Sequence, residues 1–139
     1  MLMSSEVRCA TGVSHGNAGI DFVEVAVSHM NWRSRLKSHI AGEATENWLP
    51  SVAGVDDECG LGRWLSGIGR VQFGHFSAFR RLEEDHAEFH YFAGLILAKV
   101  LEGGRNEADI LLKNEFSQAT RRILIAINEM NETMHQVAA

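Results

Sequence analysis

Apolar residues recur at spacings of three and four along three long stretches of this chain, and that periodicity restricts it to amphipathic helices. The first stretch, about 19–41, puts Phe22, Val25, Ala26, His29, Trp32, Leu36 and Ile40 on one face. The second, about 76–102, does the same with Phe79, Leu82, His86, Phe89, His90, Ala93 and Leu97. The third, about 105–136, carries Ala108, Leu112, Phe116, Ala119, Ile123, Ile127, Met130 and Met134. Gly42 and Gly103-Gly104 stand where the first two patterns stop, as helix ends prefer. No alternating run or hairpin signal interrupts them. Three such stripes hide their apolar faces only against one another. With a short fourth element they predict an all-α, antiparallel four-helix bundle. The 139 residues suffice for one such domain and not for two.

Residues 42–75 obey a different rule. They hold the single proline, Pro50, and seven of the thirteen glycines, so no continuous helix crosses them. A short helix around 56–66 is expected, with its acids early, as the helix dipole favours. A connection this long in a compact domain often serves function. Residues 1–18 are weakly periodic and read as a poorly ordered arm, leaving 19–139 as the bundle domain.

A net charge of -5 argues against nucleic acid as a partner. The basic groups Arg33/Arg35/Lys37, Arg80/Arg81 and Arg121/Arg122 are interleaved with acids and read as solvated helix faces. No apolar run reaches the 18 residues of a membrane span, and the N-terminal stretch lacks the apolar segment of a secretion signal. Cys9 and Cys59 make no disulfide framework. The expectation is a cytoplasmic protein with free or metal-bound thiols.

The stripes contain one chemical anomaly. His86 and His90 lie one turn apart on an apolar face, about 6 Å along the axis. Two buried imidazoles are costly unless something binds them, and a divalent metal is the ready candidate. A structural zinc site takes four ligands. His29, on the apolar face of the first helix, is the natural third. Cys59 is the fourth, on a segment that Gly60 and Gly62 leave free to approach the bundle. His15, His39, His75 and His135 are left outside this set. Asp85, Glu83, Glu88 and Glu24 are the acids near enough in sequence to support ligand histidines. Trp32 and Trp64 read as core packing that walls the site from water.

The same residues form a recognisable order. S-H-M-N-W at 28–32, C-G-L-G-R-W-L at 59–65 and H-A-E-F-H at 86–90, the last preceded by F-R-R-L at 79–82, resemble the chemoreceptor zinc-binding (CZB) family. The resemblance spans roughly residues 20–130. It implies one zinc ion held by His29, Cys59, His86 and His90, a four-helix arrangement, homodimerisation and a bacterial cytoplasmic sensory role. It also implies a partner in chemoreceptor or diguanylate cyclase signalling, with zinc availability or Cys59 oxidation as the signal. No such output domain stands on this chain, which reads as a free-standing regulator or a piece of a larger protein.

Three rivals remain. A hydrolase would need an open metal position, which Cys59 fills, and H-A-E-F-H is not H-E-x-x-H, so the chain is not expected to be an enzyme. A di-iron or haemerythrin-like bundle could use Glu83-x-x-His86 and Glu132-x-x-His135, although His135 falls where helices fray. The third is a plain interaction bundle without metal.

Overall fold

A computed structural model describes residues 19–56 and 59–138. The N-terminal arm expected at 1–18, with Cys9 and His15, lies outside the described residues. Every regular element among the described residues is a helix: α1 (Phe22–Met30), α2 (Trp32–Ala41), α3 (Pro50–Ala53), α4 (Gly60–Ser66), α5 (Ile68–Phe73), α6 (Ser77–Leu101), α7 (Arg105–Lys113) and α8 (Glu115–Ala138).

The first apolar stretch is thus two helices, divided at Asn31. Asp21 caps α1, its carboxylate accepting from the Val23 and Glu24 amides. Asn31 keeps a near-helical backbone, with φ -71° and ψ -15°, so α1 and α2 continue one another and their apolar faces stay in phase. α2 ends at Gly42, whose φ of 76° is a left-handed conformation that side chains resist. The third stretch is also divided, at Asn114 (φ -107°, ψ -86°). The break has a partner: Arg33 on α2 donates to the Leu112 carbonyl and to Ser117 Oγ, and Ser117 donates to the same carbonyl. A helix end that would otherwise leave carbonyls unsatisfied is thereby closed by a side chain from another helix.

α6 is the hub. It packs most extensively on α8 and also against α2, α3, α4 and α7, while α1 packs on α8 and α2 on α7. Phe79, Leu82, Phe89, Ala93 and Leu97 of its stripe are buried, and they meet Phe116, Ile123, Ile127 and Met130 in one core. Each such Phe, Leu or Ile contributes about 1.5–3 kcal/mol of transfer free energy. The 42–75 connection makes three short helices instead of the single one expected. Pro50 starts α3 at the position where its missing N–H costs nothing.

The basic clusters are exposed, as expected of solvated helix faces, except that Arg35 is partly buried. Arg35 pairs with Glu46, 2.8 Å away, and its guanidinium lies 3.8 Å from the Trp48 ring centroid. Arg81 pairs with Glu129 and Arg122 with Glu88, both joining α6 to α8. Arg70 pairs with Glu83. No helix among the described residues is long and apolar enough to cross a membrane.

Candidate metal centre

Three segments bring their polar side chains to one point in the core. α1 supplies His29, α6 supplies His86 and His90, and the residue preceding α4 supplies Cys59. One ligand atom from each lies within 4.8 Å of all the others. The three imidazoles are buried, and Cys59 is 8% exposed.

The helices aim these side chains by simple geometry. On α6 the four-residue spacing stacks His86 over His90, with ring centroids 4.5 Å apart and His86 Nε2 3.0 Å from His90 Nε2. Cys59 Sγ lies 3.3 Å from His86 Nε2 and 3.8 Å from His90 Nε2. Two of the outward-facing Nδ1 atoms are hydrogen-bonded to backbone oxygen. His29 Nδ1–H donates to the Val25 carbonyl one turn back, at 2.8 Å. His90 Nδ1–H donates to the Ala53 carbonyl of α3, at 2.9 Å. His86 Nδ1 faces the Asp56 carboxylate, with Oδ2 at 3.7 Å. An imidazole that is protonated at Nδ1 and neutral overall presents a lone pair at Nε2.

Burial keeps the rings neutral. It lowers His29 from the ordinary 6.5 to about 4, opposed by the bond to Val25. It lowers His90 to about 3, helped by the neighbouring His29 and opposed by the bond to Ala53. His86 is held well below the usual histidine range, first by burial and then by His90 and His29. Lone pairs converging at 3.0–3.8 Å repel one another unless a cation sits among them. A tetrahedral zinc with N and S ligands has edges of roughly 3.4 Å for N···N and 3.6 Å for N···S, from bond lengths of about 2.05 and 2.3 Å. The two sulfur separations bracket the N···S edge, the His86–His90 separation is shorter than the N···N edge, and all four ligand atoms lie within 4.8 Å of one another, so the donor set fits zinc in chemistry and approximate size.

The sulfur needs one condition. No cysteine among the described residues is free, and Cys59 stands in a disulfide. This departs from the thiol read in the sequence. Ligation through Sγ therefore belongs to the reduced chain. The Gly62 amide donates to that sulfur at 3.3 Å, a contact suited to an anionic ligand.

Trp32 walls the site as expected, its ring stacked on His29 and set edge-on to His90 at 4.7 Å. Trp64 instead packs among Phe22, Phe73 and Phe79. The four acids near the ligands in sequence do not face the cage. Glu83 pairs with Arg70, Glu88 pairs with Arg122, Asp85 lies near Glu88, Arg122 and Arg81, and Glu24 is exposed. Asp56 is the acid that faces a cage histidine, 3.7 Å from His86 Nδ1, and sequence reasoning missed it because it read the acid as a helix-start residue. The Val25 carbonyl was legible, lying one helical turn before His29. We expect Asp56→Asn to weaken zinc binding about tenfold or more, measured by competition with a chromophoric chelator, because carboxylate support of a ligand histidine is commonly worth that much.

The di-iron alternative finds no support in this arrangement. His135 is exposed and bonded to the Asn131 carbonyl, Glu132 is exposed, and Glu83 is engaged with Arg70. His75 lies at the surface against Phe76.

A buried His/Cys cage built on helices fits a metal-binding helical domain. The family is more specific: the model of the chemoreceptor zinc-binding domain, CZB, matches residues 29–97, from the first cage histidine to beyond the last. Residues 29–97 therefore belong to that family. No curated protein and no solved structure matches the chain significantly.

Proposed function

We propose that this chain is a regulatory zinc-binding sensory domain. It holds one zinc ion through His29, Cys59, His86 and His90 and reports zinc availability or Cys59 oxidation to a signalling partner. The observation that carries the reading is the convergence of three neutral imidazoles and one sulfur, with ligand atoms all within 4.8 Å of one another, in an otherwise apolar core. When bound, zinc would cross-link α1, α6 and the Cys59 segment, so its loss would free the connection that α6 otherwise anchors.

The fourth ligand gives the redox branch. A zinc-bound thiolate is a nucleophile open to oxidation. The Cys59 sulfur serves as a thiolate ligand or as half of a disulfide, and never as both at once. That exclusivity supports a sensor in which oxidation releases the metal. Catalysis has little to work with, because four protein ligands leave no open position for substrate. The family likeness supports a chemotaxis or cyclic-di-GMP partner, a cytoplasmic setting and homodimerisation as parts of this proposal. Exposed Val23, Val27 and Met30 form an apolar strip along α1 that suits the dimer contact.

Metal analysis of native, reduced protein tests the reading. One zinc per chain, colourless, is the expected result. Two irons per chain with a charge-transfer band would establish the di-iron rival, and no stoichiometric metal would leave a plain bundle. Cys59→Ala should keep zinc weakly, whereas His86→Ala should lose it; equal loss from both would remove Cys59 as the switching ligand.

A further inference from the structure

A close backbone-to-backbone contact between two helices lies outside the cage. α3 crosses α6 at Gly54 and Gly94. A Cβ placed on Gly94 would stand 2.8 Å from the Gly54 Cα, 3.0 Å from the Pro50 carbonyl oxygen and 3.1 Å from the Gly54 nitrogen. A Cβ on Gly54 would stand 3.0 Å from the Pro50 oxygen and 3.6 Å from the Gly94 Cα. All of these neighbours are backbone atoms, which no side-chain rotation can move away. Two backbones meet here at a distance that needs glycine on α6.

The crossing has a chemical consequence. Ala53, the residue before Gly54, is fully buried, and its carbonyl accepts the His90 Nδ1–H at 2.9 Å. His90 is one turn before Gly94 on the same helix. The connection runs on from Gly54 to Asp56, whose carboxylate faces His86 Nδ1, and then to Cys59. One backbone contact thus sets the height of the segment that supports two cage histidines and supplies the cage sulfur.

We propose that Gly94, with Gly54 across from it, is a positioning residue for the metal centre: their contact holds the Ala53 carbonyl on His90 and so keeps its Nε2 lone pair directed into the cage. The inference rests on the zinc-binding reading above and deepens it. Carbon atoms in contact stay about 3.5–4.0 Å apart, so a methyl group at Gly94 displaces α3 by about 0.7 Å or more. A hydrogen bond of 2.9 Å lengthened by that amount is no longer one. His90 then loses the partner that fixes its tautomer and ring orientation, an effect commonly worth 10–100-fold in metal affinity.

The test uses the full reduced chain, wild type and Gly94→Ala, with Ala119→Gly as a control. Ala119 is a fully buried residue of α8. Two readouts are taken. On metal-free protein, imidazole nitrogen NMR reports which His90 nitrogen carries the proton. With Co2+ as a spectroscopic probe and Zn2+ in chelator competition, the ligand-field bands and the affinity are followed. Wild type should show His90 as the Nδ1–H tautomer, and Gly94→Ala should show a mixture of tautomers. Gly94→Ala should also shift the Co2+ bands and bind Zn2+ at least tenfold more weakly, while Ala119→Gly retains wild-type spectra and affinity. An unchanged His90 tautomer in Gly94→Ala would overturn the proposal, as would zinc affinity lowered no more than in Ala119→Gly. Failure of the wild type to bind either metal would instead overturn the zinc reading, with the tautomer measurement still deciding whether the glycine contact holds His90.

Discussion

His86→Ala should lower thermal stability sharply in the presence of zinc and only slightly in a chelator. His86 is fully buried at the centre of the cage, its Nε2 within 3.3 Å of two other ligand atoms. With zinc at 100 times its dissociation constant, binding to the folded state alone adds about 2.7 kcal/mol of stability, and about 4.1 at 1,000 times. For a domain of this size that corresponds to roughly 10 °C or more in Tm. A variant lacking one of four ligands forfeits most of this. In chelator the comparison changes sign in part: removing the imidazole opens a cavity, yet it also removes a buried polar ring from a crowded set of lone pairs. Phe89→Ala is the contrast. Phe89 touches His29, Trp32 and Phe116 and carries no ligand atom. Its loss should cost about 3–5 kcal/mol whether or not metal is present. Melting of both variants with zinc and with chelator separates a ligand from a packing residue. A His86→Ala deficit that persists undiminished in chelator would make this histidine a packing residue only.

The second large effect is acid sensitivity of the metal-free chain. His29 and His90 are lowered to about 4 and about 3 in the fold, and His86 is lowered further than an ordinary histidine, against 6.5 when unfolded. Between those values the unfolded chain binds protons that the folded chain refuses. Stability therefore rises with pH across this window. It is fully present above about 6.5 and is lost as pH falls toward 4 and below. Each histidine contributes a slope of up to about 1.4 kcal/mol per pH unit. Urea unfolding of reduced, metal-free protein at pH 7.5, 6, 5 and 4.5 should show this decline. In His29→Phe, which keeps the apolar contacts to Trp32 and Phe89 without the titrating nitrogen, the slope should be shallower by about one histidine. An identical slope would mean that His29 is not buried as a neutral ring.

Much of this was readable in one dimension. Spacings of three and four name a helix face regardless of what covers it, because the α-helical repeat is a property of the backbone. That is why the apolar positions from Phe22 through Met134, and the inward aim of His29, His86 and His90, could be assigned from sequence. Cys59 joined those histidines as the fourth ligand by its place on a glycine-rich connection, which no periodicity could position, and the family motifs agree with that set.

The divisions at Asn31 and Asn114 were not readable, since neither residue forbids a helix. The break at Asn114 carries bonds from Arg33, which lies on a different helix and distant in sequence. Asp56 was likewise invisible as a partner of His86, because the path of residues 50–59 depends on how closely α3 settles on α6. The sequence by itself determined the helices, their buried faces and the kind of atoms that meet in the core. Only the tertiary structure decided which carbonyl stands behind His90 and which carboxylate faces His86. Those distances are set by one backbone resting on another at Gly54 and Gly94, a contact that no local pattern encodes.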